Sequence, residues 1–364
     1  MQKNSKIYVA GHNGLVGSAI IRKLQSKGYN NIIVTSHNEY DLRNQQQVDN
    51  FFKKEKPEYV FLAAAKVGGI LANSTYVADF IYDNIMISTN VIHASYKYGV
   101  KKLLNLGSSC IYPKLAHQPL KEEYLLSGLL EPTNEPYAIA KIAAIKMCRY
   151  FNEQYNTNFI SVMPTNLYGP GDNFNMETSH VLPAILRKMH LAKCLENNDW
   201  NSIQKDLNKR PITGIDGNSS NEEIVKILSN YGLTFIQHST FNIQHSSNVS
   251  LKLWGTGSPR REFLYVDDLA DAVVFIMNNY DAKALGEFVN IGTGKDLTIK
   301  NLAQIIKNIV GFKGKIVWDS TKPDGTPQKL LNVNRLHKLG WKHKYSLEQG
   351  IIRDYNLYNN SYAK

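Results

Sequence analysis

Apolar runs and helical patterns alternate through the first 165 residues. Runs at 6–10, 32–35, 59–63, 102–106 and 159–163 read as strands, and the segments at 15–27, 45–55, 78–98 and 137–155 carry helical spacing. Near-continuous apolar runs are what strands buried on both faces require. Strands separated by helix-length segments join in parallel through right-handed crossovers, which predicts an α/β fold with a sheet covered on both sides.

Beyond Pro164 the texture changes to turn-rich sequence, beginning with Gly169-Pro170-Gly171-Asp172. A basic helix is predicted over 180–193, then a segment at 195–249 rich in Asn and Ser that reads as an insertion. One helix is predicted there, over 221–231, with Asn221 as cap and Glu222-Glu223 at its positive end. Further helices at 266–278, at 299–310 and from 347, with a strand at 287–291, complete the pattern. The expected organisation is a dinucleotide-binding domain at 1–165 and a smaller C-terminal α/β domain at 166–364 that mainly binds substrate.

The first strand ends in Gly11-His12-Asn13-Gly14-Leu15-Val16-Gly17, a G-x-x-G-x-x-G turn between strand and helix. Glycines there allow a sharp turn, close approach of backbone to a pyrophosphate and tight packing of helix on strand, while the helix N-terminus offers N–H groups to the anion. This sharpens the fold class to a Rossmann-type doubly wound parallel sheet. About 20 residues on, where NAD sites place a carboxylate, the chain reads Thr35-Ser36-His37-Asn38. The lack of a carboxylate in that window leans toward NADP(H), although no arginine stands there to hold a 2′-phosphate. Asp41 and Leu42 are candidates to line the adenine pocket.

Composition narrows the class. With 43% hydrophobic and 20% charged residues the 364-residue chain is an ordinary globular sequence. It has neither a spanning apolar run nor a signal peptide, so a cytoplasmic protein without membrane partners is expected. The net charge of +11 is scattered rather than gathered into a stripe, which argues against nucleic acid and suits a pyrophosphate-bearing substrate. Cys110, Cys148 and Cys194 form no C-x-x-C pair, so neither a metal site nor a disulfide framework is expected.

Candidate chemistry converges downstream. Gly107-Ser108-Ser109-Cys110-Ile111-Tyr112 follows the fourth strand at the carboxyl end, where open α/β sheets bind ligands. Tyr137 and Lys141 lie one helical turn apart. A phenol of ordinary pKa about 10 is a poor acid–base group at neutral pH, and the Lys141 ammonium, with an oxidised nicotinamide, is expected to lower it. Ser108 could donate a hydrogen bond to a substrate carbonyl. Cys110 reads either as a small buried hydrophobe or as an acid–base group whose thiolate fraction a nearby cation raises.

With these residues in hand the sequence resembles the extended short-chain dehydrogenase/reductases, and within them the GDP-L-fucose synthase family. The resemblance rests on Ala63-Ala64-Ala65-Lys66-Val67-Gly68-Gly69-Ile70, Ser108-Ser109-Cys110-Ile111-Tyr112-Pro113-Lys114, and Glu131-Pro132-Thr133-Asn134-Glu135-Pro136-Tyr137-Ala138-Ile139-Ala140-Lys141. It continues in Pro164-Thr165-Asn166-Leu167-Tyr168-Gly169-Pro170, Trp254-Gly255-Thr256-Gly257, Arg261-Glu262-Phe263 and Lys322-Pro323-Asp324-Gly325-Thr326-Pro327. It implies a GDP-linked 4-keto-6-deoxy sugar as substrate, a hexose or a heptose, and a homodimeric enzyme. Cys110 and His180 would exchange protons at C3 and C5; Tyr137, with Lys141 and Ser108, would serve reduction at C4 by NADPH. The resemblance adds His37, Leu106, Lys141, Pro164, Asn166, Leu167 and His180 to the cofactor contacts. It gives Ser108, Ser109, Lys188, Trp254, Arg261 and Asp296 to the substrate.

The sequence also departs from the family. Asn13 stands where relatives carry an arginine, Thr35 and His37 stand where they carry arginines that serve the 2′-phosphate, and Lys188 replaces an arginine, exchanging a bidentate grip for a point charge. Three other activities fit parts of the pattern: C4 reduction with partial or no epimerisation, NAD-retaining 4-epimerisation, and a non-catalytic dinucleotide sensor. The last would not need both Tyr137 and Lys141.

Overall fold

The computed structural model describes residues 1–235, 249–322 and 324–360; residues 236–248 of the inserted segment and Pro323 of the 322–327 motif lie outside the described residues. The chain divides into two units, each interrupted by the other: Met1–Gly171, Glu262–Asp296 and Lys329–Leu347 form the first, and Asp172–Arg261, Leu297–Gln328 and Glu348–Lys364 the second.

The first unit is built on β1 (Ile7–Ala10), β2 (Ile32–Ile33), β3 (Tyr59–Leu62), β4 (Lys102–Leu106), β5 (Phe159–Pro164) and β10 (Val289–Ile291). They form one sheet in the order β2-β1-β3-β4-β5-β10, and every adjacent pair is parallel. The period of two along a strand sends alternate side chains to opposite faces. Ile7 and Val9 join Ile20 and Leu24 of α1 (Leu15–Ser26) and Leu269, Val273 and Ile276 of α9 (Val266–Asn279) in one core. Tyr8 and Ala10 join Phe51 and Phe52 of α2 (Gln45–Glu55), Val91 of α4 (Val77–Lys97) and Ala144 of α5 (Glu135–Tyr155) in the other. A short helix, α3 (Ile70–Thr75), precedes α4. This is the doubly wound Rossmann-type sheet that the pattern predicts. Beside it β6 (Asn166–Tyr168) pairs in parallel with Phe263–Tyr265 of β9 (Arg260–Tyr265).

The second unit has a three-stranded sheet. Its centre is β8 (Val249–Trp254), paired antiparallel with β7 (Leu233–Phe235) and parallel with Lys315–Asp319. Around it lie α6 (Val181–Glu196), α7 (Trp200–Lys209), α8 (Asn221–Asn230), Ile299–Val310 and most of Leu347–Asn360.

Three features differ from the sequence reading. β2 is only two residues long, and Val34, predicted in the strand, is exposed. The cap of α8 is Ser220 rather than Asn221: its Oγ accepts from Glu223 N at 3.3 Å and Glu223 Oε2 accepts from Ser220 N at 2.9 Å, a reciprocal capping box. The described part of 195–249 is also less peripheral than its composition suggests, because Ile203, Asp206, Leu207, Ile224 and Leu228 are all buried. Among the described residues no helix is long and apolar enough to cross a membrane.

Candidate active site

The G-x-x-G-x-x-G turn has the backbone a dinucleotide needs. Gly11 has φ +82, and a Cβ there would press on the Ala63–Ala64 backbone. A Cβ on Gly17 would collide with the Gly11 carbonyl, so the helix can approach the turn this closely only without a side chain. Gly14 is the N-cap of α1 with no side-chain cap, and the first turn has no acidic residue. The N–H groups at that helix end are thus left to an anion. These features fit the pyrophosphate of a dinucleotide.

At the end of β2 the polar groups are arranged differently from the expectation. Glu39, one residue beyond the 35–38 window, turns back so that its Oε2 accepts from both the N–H and the hydroxyl of Ser36, each at 2.9 Å. Those bonds hold its carboxyl below the usual range, and His12 adds to the effect. A carboxylate thus stands one residue past that window, bonded to Ser36 within it. Asp41 is engaged by Arg43, whose Nη2 and Nε lie 2.8 and 3.0 Å from its oxygens, and by His37 at 3.7 Å. Leu42 is partly buried against the sheet core, and its carbonyl accepts from Asn90 at 2.9 Å.

The catalytic candidates of the first unit gather after β4. Ser108 caps a short 3₁₀ turn, Ser109–Ile111, its Oγ accepting from Cys110 N at 3.4 Å. From α5, Lys141 points at the strand end, where Nζ donates to Leu106 O at 2.8 Å and lies 5.7 Å from the centre of the Tyr137 ring. Burial lowers the Lys141 pKa to about 8, partly offset by Cys110. The Tyr137 pKa is raised, foremost by burial of its hydroxyl end, then by Cys110, against a hydrogen bond from Ser108. The expected lowering of the phenol is thus not what these protein groups produce. Burial also raises the Cys110 thiol, opposed by Lys329, Ser108 and Lys141. The expected gain in thiolate is outweighed in the same way, and both groups rest in their protonated forms. Lys329 lies two residues past the end of the 322–327 motif, so the sequence reading missed it.

Other candidates occupy strand ends or the second unit. Asn166 Nδ2 donates to Glu262 O at 2.8 Å, Pro164 closes β5 opposite Ile291, and Leu167 of β6 pairs with Leu264. Asp296 opens the strand Asp296–Thr298. In the second unit, His180 is the exposed N-cap of α6 and Lys188 lies two turns along it, its pKa lowered to about 8 by burial. Trp254 ends β8, 61% exposed, with Lys322 Nζ 5.4 Å from its ring. Arg261 Nη1 donates to Arg260 O at 2.8 Å. Cys110 and His180 belong to different units.

The sequence profile of the NAD dependent epimerase/dehydratase family matches residues 7–210 and 230–292. The chain belongs to this family. Among relatives in it, GDP-L-fucose synthase 1 of Arabidopsis thaliana is 51% identical over 98% of this chain and 94% of its own length. The crystal structure of a GDP-6-OMe-4-keto-L-xylo-heptose reductase from Campylobacter jejuni is 45% identical, with TM-score 0.89 over 99% of both chains. A GDP-mannoheptose C4 reductase from the same organism, solved with NADP bound, is also 45% identical, with TM-score 0.83 over 98% of this chain and 99% of its own. The glycine turn and the Tyr137–Lys141 pair both fall within the profile match.

Proposed function

We propose that the protein is an NADPH-dependent epimerase/reductase of a GDP-linked 4-keto-6-deoxy hexose or heptose, exchanging protons at C3 and C5 and reducing C4. The observation that carries this reading is the cluster of Ser108, Cys110, Tyr137 and a buried Lys141, in a chain 51% identical to a GDP-L-fucose synthase. The first unit binds the dinucleotide through Gly11–Gly17, and the second contributes most of the substrate contacts. Bound NADPH supplies a hydride. Tyr137, kept protonated by burial, delivers a proton to the C4 oxygen, with Ser108 donating to that oxygen and Lys141 keeping positive charge nearby. The ketone acidifies the protons on the neighbouring carbons, and Cys110 and His180 remove and return them. Lys188 and Arg261 supply cations for the pyrophosphate in this reading, while Ser109, Trp254 and Asp296 complete the substrate contacts.

A second reading, C4 reduction without epimerisation, is favoured by the heptose C4 reductase at 45% identity. The presence of both Cys110 and His180 supports the first. Product made from a GDP-linked 4-keto-6-deoxy sugar in D₂O separates them. Deuterium at C3 and C5 with one NADPH consumed is expected; none at either carbon would leave the reductase alone.

A cytoplasmic homodimer completes the proposal. Cys110, Cys148 and Cys194 are free thiols, as suits a reducing compartment. The outer faces of α4 and α5 present Tyr82, Tyr96, Ile139, Tyr150 and Tyr155 to solvent, an apolar patch of the kind that marks protein contacts. Light scattering on Tyr82→Glu should show a shift toward monomer; an unchanged mass would remove α4 and α5 as the interface.

A further inference from the structure

His180 is preceded by an irregular stretch, 172–179, whose internal bonds are local. Asn175 Oδ1 accepts from the N–H groups of Glu177 and Thr178 at 2.9 and 3.0 Å, and Asn173 Nδ2 donates to Thr178 Oγ1 at 3.0 Å. Such bonds shape a turn without fixing where it lies. Its placement within the second unit draws on Tyr358, whose ring lies 4.8 Å from that of Phe174, and on groups that belong to or are backed by the inserted segment. Arg187 Nη1 donates to Phe174 O at 3.0 Å, and that guanidinium is itself held by Asp206 of α7 at 2.8 Å. The Arg210 guanidinium lies 5.1 Å from the centre of the Phe174 ring. Closest to His180, Tyr231 OH donates to Glu177 Oε1 at 2.6 Å.

Tyr231 is well placed to transmit position. It caps the C-terminus of α8 and is followed by Gly232, at φ +90, which turns the chain into β7. Lys252 N donates to Gly232 O at 2.7 Å, and the Thr234 and Ser250 hydroxyls meet at 2.8 Å, so this turn is tied to β8, the strand that ends at Trp254. The seam between Tyr231 and the 172–179 stretch leaves a cavity of about 40 Å³, which also touches Met176 and Ile212.

We propose that Tyr231 is a positioning residue for His180: through Glu177 it fixes the 172–179 stretch, and with it the start of α6, against the β7–β8 ladder. The proposal rests on the proton-transfer role given to His180 above. It assigns the described part of the inserted segment a task, holding an acid–base residue in place rather than touching the substrate itself.

The test uses the full chain with a GDP-linked 4-keto-6-deoxy sugar in D₂O, following ring deuteration at saturating substrate beside cofactor titration and a melting curve. Tyr231→Phe should slow deuteration about tenfold, the scale of one lost hydrogen bond to a charged group, with KM and cofactor affinity held. Glu177→Ala should match it, and the double variant should be no slower than either single, because both remove one interaction. Glu177→Gln keeps an acceptor oxygen and should stay within about twofold of wild type. Wild-type deuteration in both Tyr231→Phe and Glu177→Ala would overturn the positioning role, as would a Glu177→Gln as slow as Glu177→Ala. If Tyr231→Phe does not fold, the Glu177 comparison decides alone. A wild-type protein that incorporates no deuterium would overturn the proton-transfer reading, and this inference with it.

Discussion

The ammonium of Lys141 is hydrogen-bonded at 2.8 Å to the carbonyl of Leu106, the last residue of β4, so the helix-borne cation is anchored to the sheet edge. This anchor keeps its charge close to Tyr137 and Cys110. Burial lowers its pKa to about 8, so the group is charged below that pH and neutral above it. The alkaline limb of kcat/KM should therefore begin near pH 8, well below the range of an ordinary lysine. Lys188 is also held down to about 8, so the comparison is made in a Lys188→Arg background. There, adding Lys141→Arg should move the limb upward, since a guanidinium keeps its proton. A limb that stays in place in the double variant would assign it to another group.

Tyr137 and Cys110 should separate the two halves of the reaction. Tyr137→Phe is expected to lower NADPH oxidation by about 10²–10⁴-fold, the range for loss of a positioned proton donor, while deuterium still enters the ring. Cys110→Ser should do the reverse, stopping deuteration and sparing hydride transfer to C4. Product analysis by mass spectrometry checks both; full reduction by Tyr137→Phe would contradict the role given to the phenol.

Glu39 should weaken the hold on a 2′-phosphate. Its carboxylate occupies the Ser36 N–H and hydroxyl, which an incoming phosphate would otherwise use, and brings like charge to that place. Glu39→Gln is expected to tighten NADPH by about threefold, a modest change for an exposed group, and to leave NADH near its original affinity. Titration with 2′,5′-ADP and 5′-AMP provides a readout independent of turnover. Equal changes for both nucleotides would exclude selectivity at this position.

Asp206 should prove structural. It is completely buried beside Arg187, and it also accepts from Tyr358 OH and, at 3.3 Å, from Arg210. Removing one partner leaves a buried charge without its counter-ion, so Asp206→Ala should cost about 3–5 kcal/mol in denaturant unfolding. Replacing both partners, as Arg187→Met with Asp206→Leu, should cost less. The same pair means that exchanging 195–249 for a flexible linker would damage the second unit, contrary to what the polar composition suggests.

Much of this was legible beforehand because the first unit obeys simple periodicities. The runs from Ile7, Tyr59, Lys102 and Phe159 are apolar on both strand faces, and the glycine turn sits at the first strand–helix junction, as anion binding demands. α7 escaped notice because its apolar positions are few. Trp200, Ile203 and Leu207 carry the helical spacing, and Asp199 caps it by accepting from Ser202 N at 3.1 Å, yet the surrounding Asn, Gln and Lys masked the pattern. At the candidate site, the residue types were legible in the sequence and their proton affinities were not. Spacing puts Lys141 one turn from Tyr137, but how deeply each is buried depends on Leu106, Phe80 and the 3₁₀ turn, which only the folded chain brings together. Glu39 and Lys329 each fell just outside the segments that drew attention.

The interleaving of the two units has a consequence for synthesis on the ribosome. β5 ends at Pro164, but its neighbour β10 begins only at Val289, roughly 125 residues later. At about 5–20 residues per second the nascent sheet waits some 6–25 s with the β5 edge unpaired. Closure comes later still: the Glu262 carboxylate binds the N–H of Leu331 at 2.9 Å, and Trp341 Nε1 reaches Asp271 at 3.0 Å. Vectorial emergence therefore cannot finish the first unit long before the second. Both must await the C-terminal stretch, and an exposed strand edge persists while those roughly 125 residues are added, an opening for chaperone capture or for pairing between neighbouring nascent chains.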